Sequence, residues 1–186
     1  MADYFGTGVQ GTTNTVALAQ PAQSVDKEAG YSHSRVRETY SVIDVTATSS
    51  DRIVFGLFKS SDRLIELRVS SDGGSTAGAI DVGLHSVSFA NGTMELTAVD
   101  ADLFEDAFTI SSAVAYPGTD IFAARSTPFV DPITERGITF WEFAAAGAAS
   151  YTEDPGLTFA VTATPSTDFT VANSEIGCLV KYVAGD

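Results

Sequence analysis

The sequence has few of the residues that build cross-links, metal sites and anion-binding surfaces. It contains one cysteine, which excludes an internal disulfide and leaves stability to packing or assembly. Two histidines are too few for the usual zinc site. Ten Lys and Arg against 24 Asp and Glu give a formal net charge of −14, which disfavours nucleic acids and anionic membranes as partners. An acidic chain of this kind is suited to docking on a basic patch of another protein.

Long apolar runs are also missing. No stretch is long enough to span a bilayer, and the N-terminus lacks the basic and apolar regions of a signal peptide. We therefore expect a protein that is made in the cytoplasm and does not enter a membrane.

Residues 1–34 differ in composition from the rest of the chain. They are rich in Gly, Thr, Gln and Ala, with no apolar period, and we interpret them as an extended N-terminal arm. For a free monomer, disorder is an equal alternative. Isolated apolar side chains of the arm are our candidates for contacts with a neighbouring subunit or partner protein, namely Tyr4, Phe5, Val9, Val16 and Leu18.

Residues 35–186 have the pattern of a β-domain. Arg35–Ala47 is rich in β-branched residues, with an imperfect alternation that suggests a bulge, and Leu157–Thr164 alternates. Turn signals separate such segments. Asn91-Gly92 predicts a hairpin, and Ile138–Phe143 is interpreted as an aromatic strand. We predict an all-β, antiparallel, jelly-roll-like sandwich with one short helix. In its last strand four residues should face inward, namely Ile176, Cys178, Val180 and Tyr182.

The one helix is predicted in "DADLFEDAF". Asp102 and Glu105 match a capping box, and acidic side chains are favoured in the first turn of a helix. Leu103, Ala107 and Phe108 would share its buried side.

The carboxylates of the same segment raise the question of a metal site. An EF-hand loop starting at Asp100 would need Gly at its sixth position and Glu at its twelfth, where this chain has Glu105 and Ser111. The EF-hand match fails, and we predict no metal site, although a looser Ca²⁺ site near Asp100 and Asp102 stays open. Asn91-Gly92-Thr93 matches a glycosylation sequon but is interpreted as the hairpin turn.

No catalytic arrangement can be built from the nucleophiles and bases of the sequence. His85 shares a strand face with Asp81, but no Gly-x-Ser-x-Gly elbow supplies a serine nucleophile. We interpret His33 as an exposed polar residue and Cys178 as a buried small hydrophobe. We therefore expect a protein that is not an enzyme, with no catalytic residues and no cofactor.

The aromatic residues around Trp141 allow two interpretations. Phe140, Trp141 and Phe143 could stack on sugar rings, or they could pack in the core or between subunits. Exposure of Trp141 or Tyr151 would discriminate between the two, and the packing interpretation is favoured.

The order of several short segments resembles a known family. "DVGL" (Asp81–Leu84) precedes "DADLFEDA" (Asp100–Ala107), followed by "ERGITFWEF" (Glu135–Phe143), "EDPG" (Glu153–Gly156), "LTFAVTAT", and a last strand ending "LVKYV". Between about Val54 and Val183 the chain resembles small β-rich virion proteins of tailed bacteriophages, of the capsid decoration or head-stabilising type. His85 stands where that family often has Tyr.

The resemblance implies a structural protein. Its implied partner is the major capsid protein and its implied location the capsid exterior. The resemblance does not fix the oligomeric state; we expect a homo-oligomer, trimer or dimer, because sandwich proteins of this sort often assemble with closed symmetry. The alternative we carry forward is a carbohydrate- or receptor-binding sandwich module on the virion. Nothing in the resemblance supplies catalytic residues.

Overall fold

The computed structural model describes residues 3–5, 36–45, 51–73, 78–90, 93–121, 138–146, 151–166 and 174–185. These residues form nine strands and one helix: β1 (Asp3–Phe5), β2 (Val36–Val45), β3 (Arg52–Lys59), β4 (Arg63–Ser71), β5 (Ala79–Ala90), β6 (Thr93–Thr109), β7 (Val114–Asp120), α1 (Phe140–Ala146), β8 (Thr158–Pro165) and β9 (Ser174–Val183). None of the described residues belongs to a helix long and apolar enough to cross a membrane.

The strands form two sheets that face each other. The five-stranded sheet has the order β1-β3-β8-β5-β6, and the four-stranded sheet has the order β2-β9-β4-β7. All pairings are antiparallel except that of β1 with β3, which is parallel. From β2 to β9 the chain passes repeatedly between the sheets in the strand order of a jelly roll. The predicted all-β, jelly-roll-like sandwich is therefore confirmed.

The core lies between the two sheets, where inward-facing residues of β2 to β6, β8 and β9 meet. From the four-stranded sheet Leu67 and Val180 are buried, and from the five-stranded sheet Phe159 and Val161. The predicted inward face of the last strand is confirmed, because all four of its residues lie in this core: Ile176, Cys178, Val180 and Tyr182. Burial of this apolar area is the main term that stabilises the sandwich.

The helix predicted in "DADLFEDAF" is wrong. Residues 100–108 belong to β6, which continues from the hairpin that Asn91-Gly92 was correctly predicted to make, with Ala90 paired to Thr93. Val82 pairs with Glu105 and Leu84 with Asp100, so β5 advances by two residues where β6 advances by five. The surplus residues of β6 form a large bulge. The bulge lets the adjacent Leu103 and Phe104 both lie in the core, whereas Ala107, which was predicted to share a buried helix face with Leu103, is exposed.

Two features of β5 hold this bulge. A Cβ on Gly83 would lie well inside van der Waals contact with the backbone of Asp100 and Ala101, so only glycine allows the bulge to cross β5 this closely. The Asp81 carboxylate accepts a hydrogen bond from the Ala107 N–H at 2.9 Å, and Ala107 has a left-handed φ of 57°. The acidic segment is therefore shaped by the strand beside it.

The strand predicted at Ile138–Phe143 is also wrong, because α1 begins at Phe140. Thr139 and Glu142 form the capping box: the Thr139 N–H and hydroxyl donate to Glu142 Oε2 at 2.8 and 2.6 Å. The Glu142 N–H faces Thr139 Oγ1 at 3.4 Å, which completes the reciprocal cap. These bonds also lower the pKa of Glu142. The Thr-x-x-Glu signature was present in the sequence and marks the true helix start.

Candidate functional surfaces

The acidic side chains of β6 act on the local backbone. Asp100 Oδ1 lies 3.4 Å from the Asp102 N–H, inside the bulge. Burial, and secondarily the neighbouring Asp106, raise the pKa of Glu105. Within the described part of the chain no group of three or more His, Cys, Asp or Glu is arranged to hold a metal ion. The carboxylates that suggested a Ca²⁺ loop lie along β6, which is an edge strand of the five-stranded sheet.

His85 is buried on the outer face of the five-stranded sheet, with a side chain 1% exposed. Its neighbour Leu84 points into the core, so alternation turns His85 away from it. A hydrogen bond of 2.8 Å joins His85 Nδ1 to Thr162 Oγ1. Burial, assisted by the charge of Arg52, lowers the pKa of His85 from 6.5 to about 4. The imidazole is therefore neutral near pH 7 and is shielded from solvent; His33 lies outside the described residues.

Cys178 is fully enclosed by the core of the sandwich. Burial raises the pKa of its thiol well above the usual value, so the reactive thiolate is disfavoured. This environment fits its interpretation as a small hydrophobic side chain.

The aromatic residues considered for sugar binding mostly lie in the core. Phe140 stacks on Phe58 with ring centroids 4.8 Å apart, and Phe143 packs edge-to-face on Phe104 at 5.7 Å. Both phenylalanines of α1 are buried, while Trp141 and Tyr151 are partly buried and pack against the same core. The packing interpretation is therefore supported for this segment. A sugar-binding platform at α1 would have no exposed phenylalanine ring on which a sugar could stack.

The exposed large hydrophobic side chains lie elsewhere, on the outer faces of both sheets. Among the described residues these are Tyr40, Leu57, Phe89 and Tyr116. Leu57 (46% exposed) pairs with Ala160, and Phe89 (56% exposed) pairs with Met94 beside the hairpin turn. Sequence reasoning did not single out these four residues; the only signal for them was the alternation that turns them away from core neighbours.

The tyrosines of the four-stranded sheet form an organised pair. The Tyr40 and Tyr116 rings meet edge-to-face with centroids 4.9 Å apart, and a hydrogen bond of 3.2 Å joins the Tyr40 hydroxyl to Ser70 Oγ. Tyr40 reaches Ser70 across Gly177, where a Cβ would lie 2.5 Å from the Tyr40 hydroxyl. Glycine at position 177 therefore lets the Tyr40 ring lie flat across the sheet.

Arg68 is fixed beside this pair. Its Nε donates to Glu66 Oε1 and its Nη1 donates to the Gly118 carbonyl at 3.1 Å. The hydrogen bond to Glu66, with added attraction from Asp120, raises the pKa of the guanidinium. The side chain is thus a permanently charged donor held in one orientation.

The proposed arm is described only at its start. Tyr4 and Phe5 belong to β1, whose backbone pairs with Ile53 and Val54 of the same chain. Val9, Val16 and Leu18 lie outside the described residues, as does most of the range 1–34. The division into an arm and a domain of residues 35–186, and the contacts of these five residues with a neighbour, stay predictions.

Comparisons with known proteins gave two similar structures. No protein-family model matches the chain, and no curated protein matches it significantly. The "Cyanophage Pam1 capsid asymmetric unit" contains a chain with 16% identity and a TM-score of 0.47, over 92% of this chain and 98% of that one. The "Capsid of Ralstonia phage GP4" contains one with 17% identity and a TM-score of 0.43, over 80% and 85%. Because both scores are below 0.5, we rest no argument on them.

Proposed function

We propose that this chain is a structural protein of a tailed-phage virion, of the capsid decoration type. It binds the outer surface of the head and stabilises contacts between major capsid proteins. The observation that carries the proposal is the ordered set of segments that resembles such proteins. The motifs "DVGL" and "DADLFEDA" contain the glycine and the bulge that fit together in β5 and β6. "EDPG" makes the turn before β8, where the Gly156 N–H donates to Asp154 Oδ1 at 2.8 Å.

These motif residues have framework roles, which supports a shared framework as the source of the resemblance. A framework protein acts through its surfaces, and the outer face of the five-stranded sheet offers Leu57 and Phe89. Covering two half-exposed side chains of this size contributes about 1 kcal/mol each. Small contributions suffice when the contact is repeated over a whole shell.

The charge of the chain supports an exterior position. A net charge of −14 opposes contact with packaged DNA and favours a basic protein surface. We also propose that the chain is a dimer or trimer. We further propose that it has no catalytic activity, and the burial of His85 and Cys178 supports this.

Copy number in purified virions tests the proposal. Quantitative mass spectrometry should find this chain in numbers comparable with the major capsid protein. A few copies per virion would instead identify a part of the tail or portal vertex. The Phe89→Ala variant should bind particles more weakly than the wild type, with Glu95→Ala, an exposed position on β6, as the matched control.

Deletion of the residues before Tyr31 tests the arm. We expect a folded β-domain, because the sandwich strands from Val36 onward are retained and β1 contributes only three edge residues. We expect particle binding to fall by orders of magnitude, because many small contacts are lost together. Circular dichroism that shows unfolding would make β1 essential to the sandwich, and undiminished particle binding would locate attachment on the sheets or loops.

A further inference from the structure

The outer face of the four-stranded sheet carries a surface that the decoration role does not require. Tyr116 is 61% exposed and Tyr40 is 36% exposed, and their rings hold each other at an interplanar angle of 80°. The Arg68–Glu66 pair lies on the same face, linked to β7 through the Gly118 carbonyl. We refer to Tyr40, Tyr116, Arg68 and Glu66 as the tyrosine platform.

The parts of the tyrosine platform lie next to one another. Ser70, which bonds the Tyr40 hydroxyl, stands two residues from Arg68 on β4, and Gly118 stands two residues from Tyr116 on β7. On β4, alternation places Ser70 and Arg68 on the same outer face, about 7 Å apart. On β7, where the pairing with β4 is irregular, Tyr116 is placed on this face by its ring contact with Tyr40. An aromatic ring face and a fixed set of hydrogen-bonding groups are thus within reach of one small ring-shaped ligand.

We propose that the tyrosine platform binds a neutral sugar ring of a glycan. The apolar C–H face of a pyranose covers the Tyr116 ring, and its hydroxyl groups donate to the Glu66 carboxylate and accept from the Arg68 guanidinium. Because Arg68 and Glu66 already orient each other, little conformational entropy is lost on binding.

The local charge selects the class of sugar. Arg68 is attracted by the carboxylates of Glu66 and Asp120. Lys181, which pairs in register with both Glu66 and Glu38, is a second cation on this face. Two cations against these three carboxylates leave a small excess of negative charge, so the site should disfavour sialylated or uronic-acid glycans. The exposed aromatic area is also small, two tyrosine rings on one face of the sheet, which favours a sugar over a protein partner.

A glycan array followed by titration of the full-length protein tests the proposal. The array should show binding to neutral oligosaccharides of glucose, galactose or N-acetylglucosamine and little binding to their sialylated forms. Tyr116→Ala should weaken the best neutral ligand about tenfold, the equivalent of one aromatic contact. Tyr116→Phe, which keeps the ring, should bind within about twofold of the wild type.

Two further variants separate this site from the capsid contact. Gly177→Ala should displace Tyr40 and weaken sugar binding, while Phe89→Ala on the other sheet should leave sugar binding unchanged. Circular dichroism checks that each variant is folded. A blank array, or equal binding by Tyr116→Ala and the wild type, refutes the sugar site. Loss of particle binding by Tyr116→Ala without any sugar binding would refute it too, and would identify a protein contact. Either result leaves the copy-number test of the decoration role untouched.

Discussion

The buried histidine makes the stability of this protein depend on pH in a defined window. His85 is 1% exposed and has a pKa of about 4 in the folded chain, against 6.5 in an unfolded one. Between these two values the unfolded state binds more protons than the folded state. Stability must therefore fall as the pH is lowered through this window, and it is fully retained above about pH 6.5.

The size of the effect follows from the two pKa values. For pKa values of 6.5 and about 4, linkage gives a loss of about 2.5 kcal/mol between pH 7 and about pH 4.5. This is a large share of the stability of a typical domain. A neutral side chain at position 85 should abolish this component.

Urea denaturation of the wild type and of His85→Gln at a series of pH values measures the component. All other ionisable groups are the same in both proteins, so the difference between the two pH profiles isolates His85. Glutamine retains an amide that can bond Thr162 and does not titrate. Parallel profiles for the two proteins, or an NMR titration of the native His85 ring centred near 6.5, would refute the argument.

Four substitutions test other parts of the fold by urea denaturation. Gly83→Ala should lower the free energy of unfolding by at least about 3 kcal/mol, since the methyl group meets the backbone of the β6 bulge. Gly156→Ala, the control, has open space and should lower it by about 1 kcal/mol because of its φ of 63°. Equal losses of stability in the two variants would contradict the close approach at Gly83. Thr139→Ala should cost about 1 kcal/mol by removing the cap of α1, and no loss would show that α1 is held by packing alone. Cys178→Ser should cost roughly 1–3 kcal/mol and change no function other than assembly, because it puts a hydroxyl in the core; a folded variant that lost one specific function would show that Cys178 is not inert.

Much of the sandwich was predictable because strand periodicity reports burial directly. The alternation in β9 identified its four inward residues, and Asn91-Gly92 identified the β5–β6 hairpin. Each of these signals is local: side chains two apart share a face, and a two-residue turn needs residues that tolerate positive φ. The sequence alone was therefore sufficient for the all-β class.

The errors occurred where a local pattern was compatible with two structures. The segments at Asp102 and at Thr139 both carry a capping box, yet one is a bulged strand and the other begins α1. Only pairing decides between them: in β5, Gly83 admits the β6 backbone at Asp100, and Asp81 bonds Ala107, 26 residues away in the sequence.

Exposure of the candidate surface was likewise decided by tertiary structure. Sequence reasoning considered Trp141 for an exposed platform and did not single out Tyr116, whereas the fold placed Trp141 against the core and Tyr116 on an outer face. Tyr116 contacts Tyr40 only because β2 and β7 belong to the same sheet and because Gly177, which has no side chain, leaves room for the Tyr40 ring to cross the sheet. Sequence periodicity determined which side chains can leave the core, and the strand order determined which of them become neighbours, because long-range pairing brings together residues that no local pattern connects.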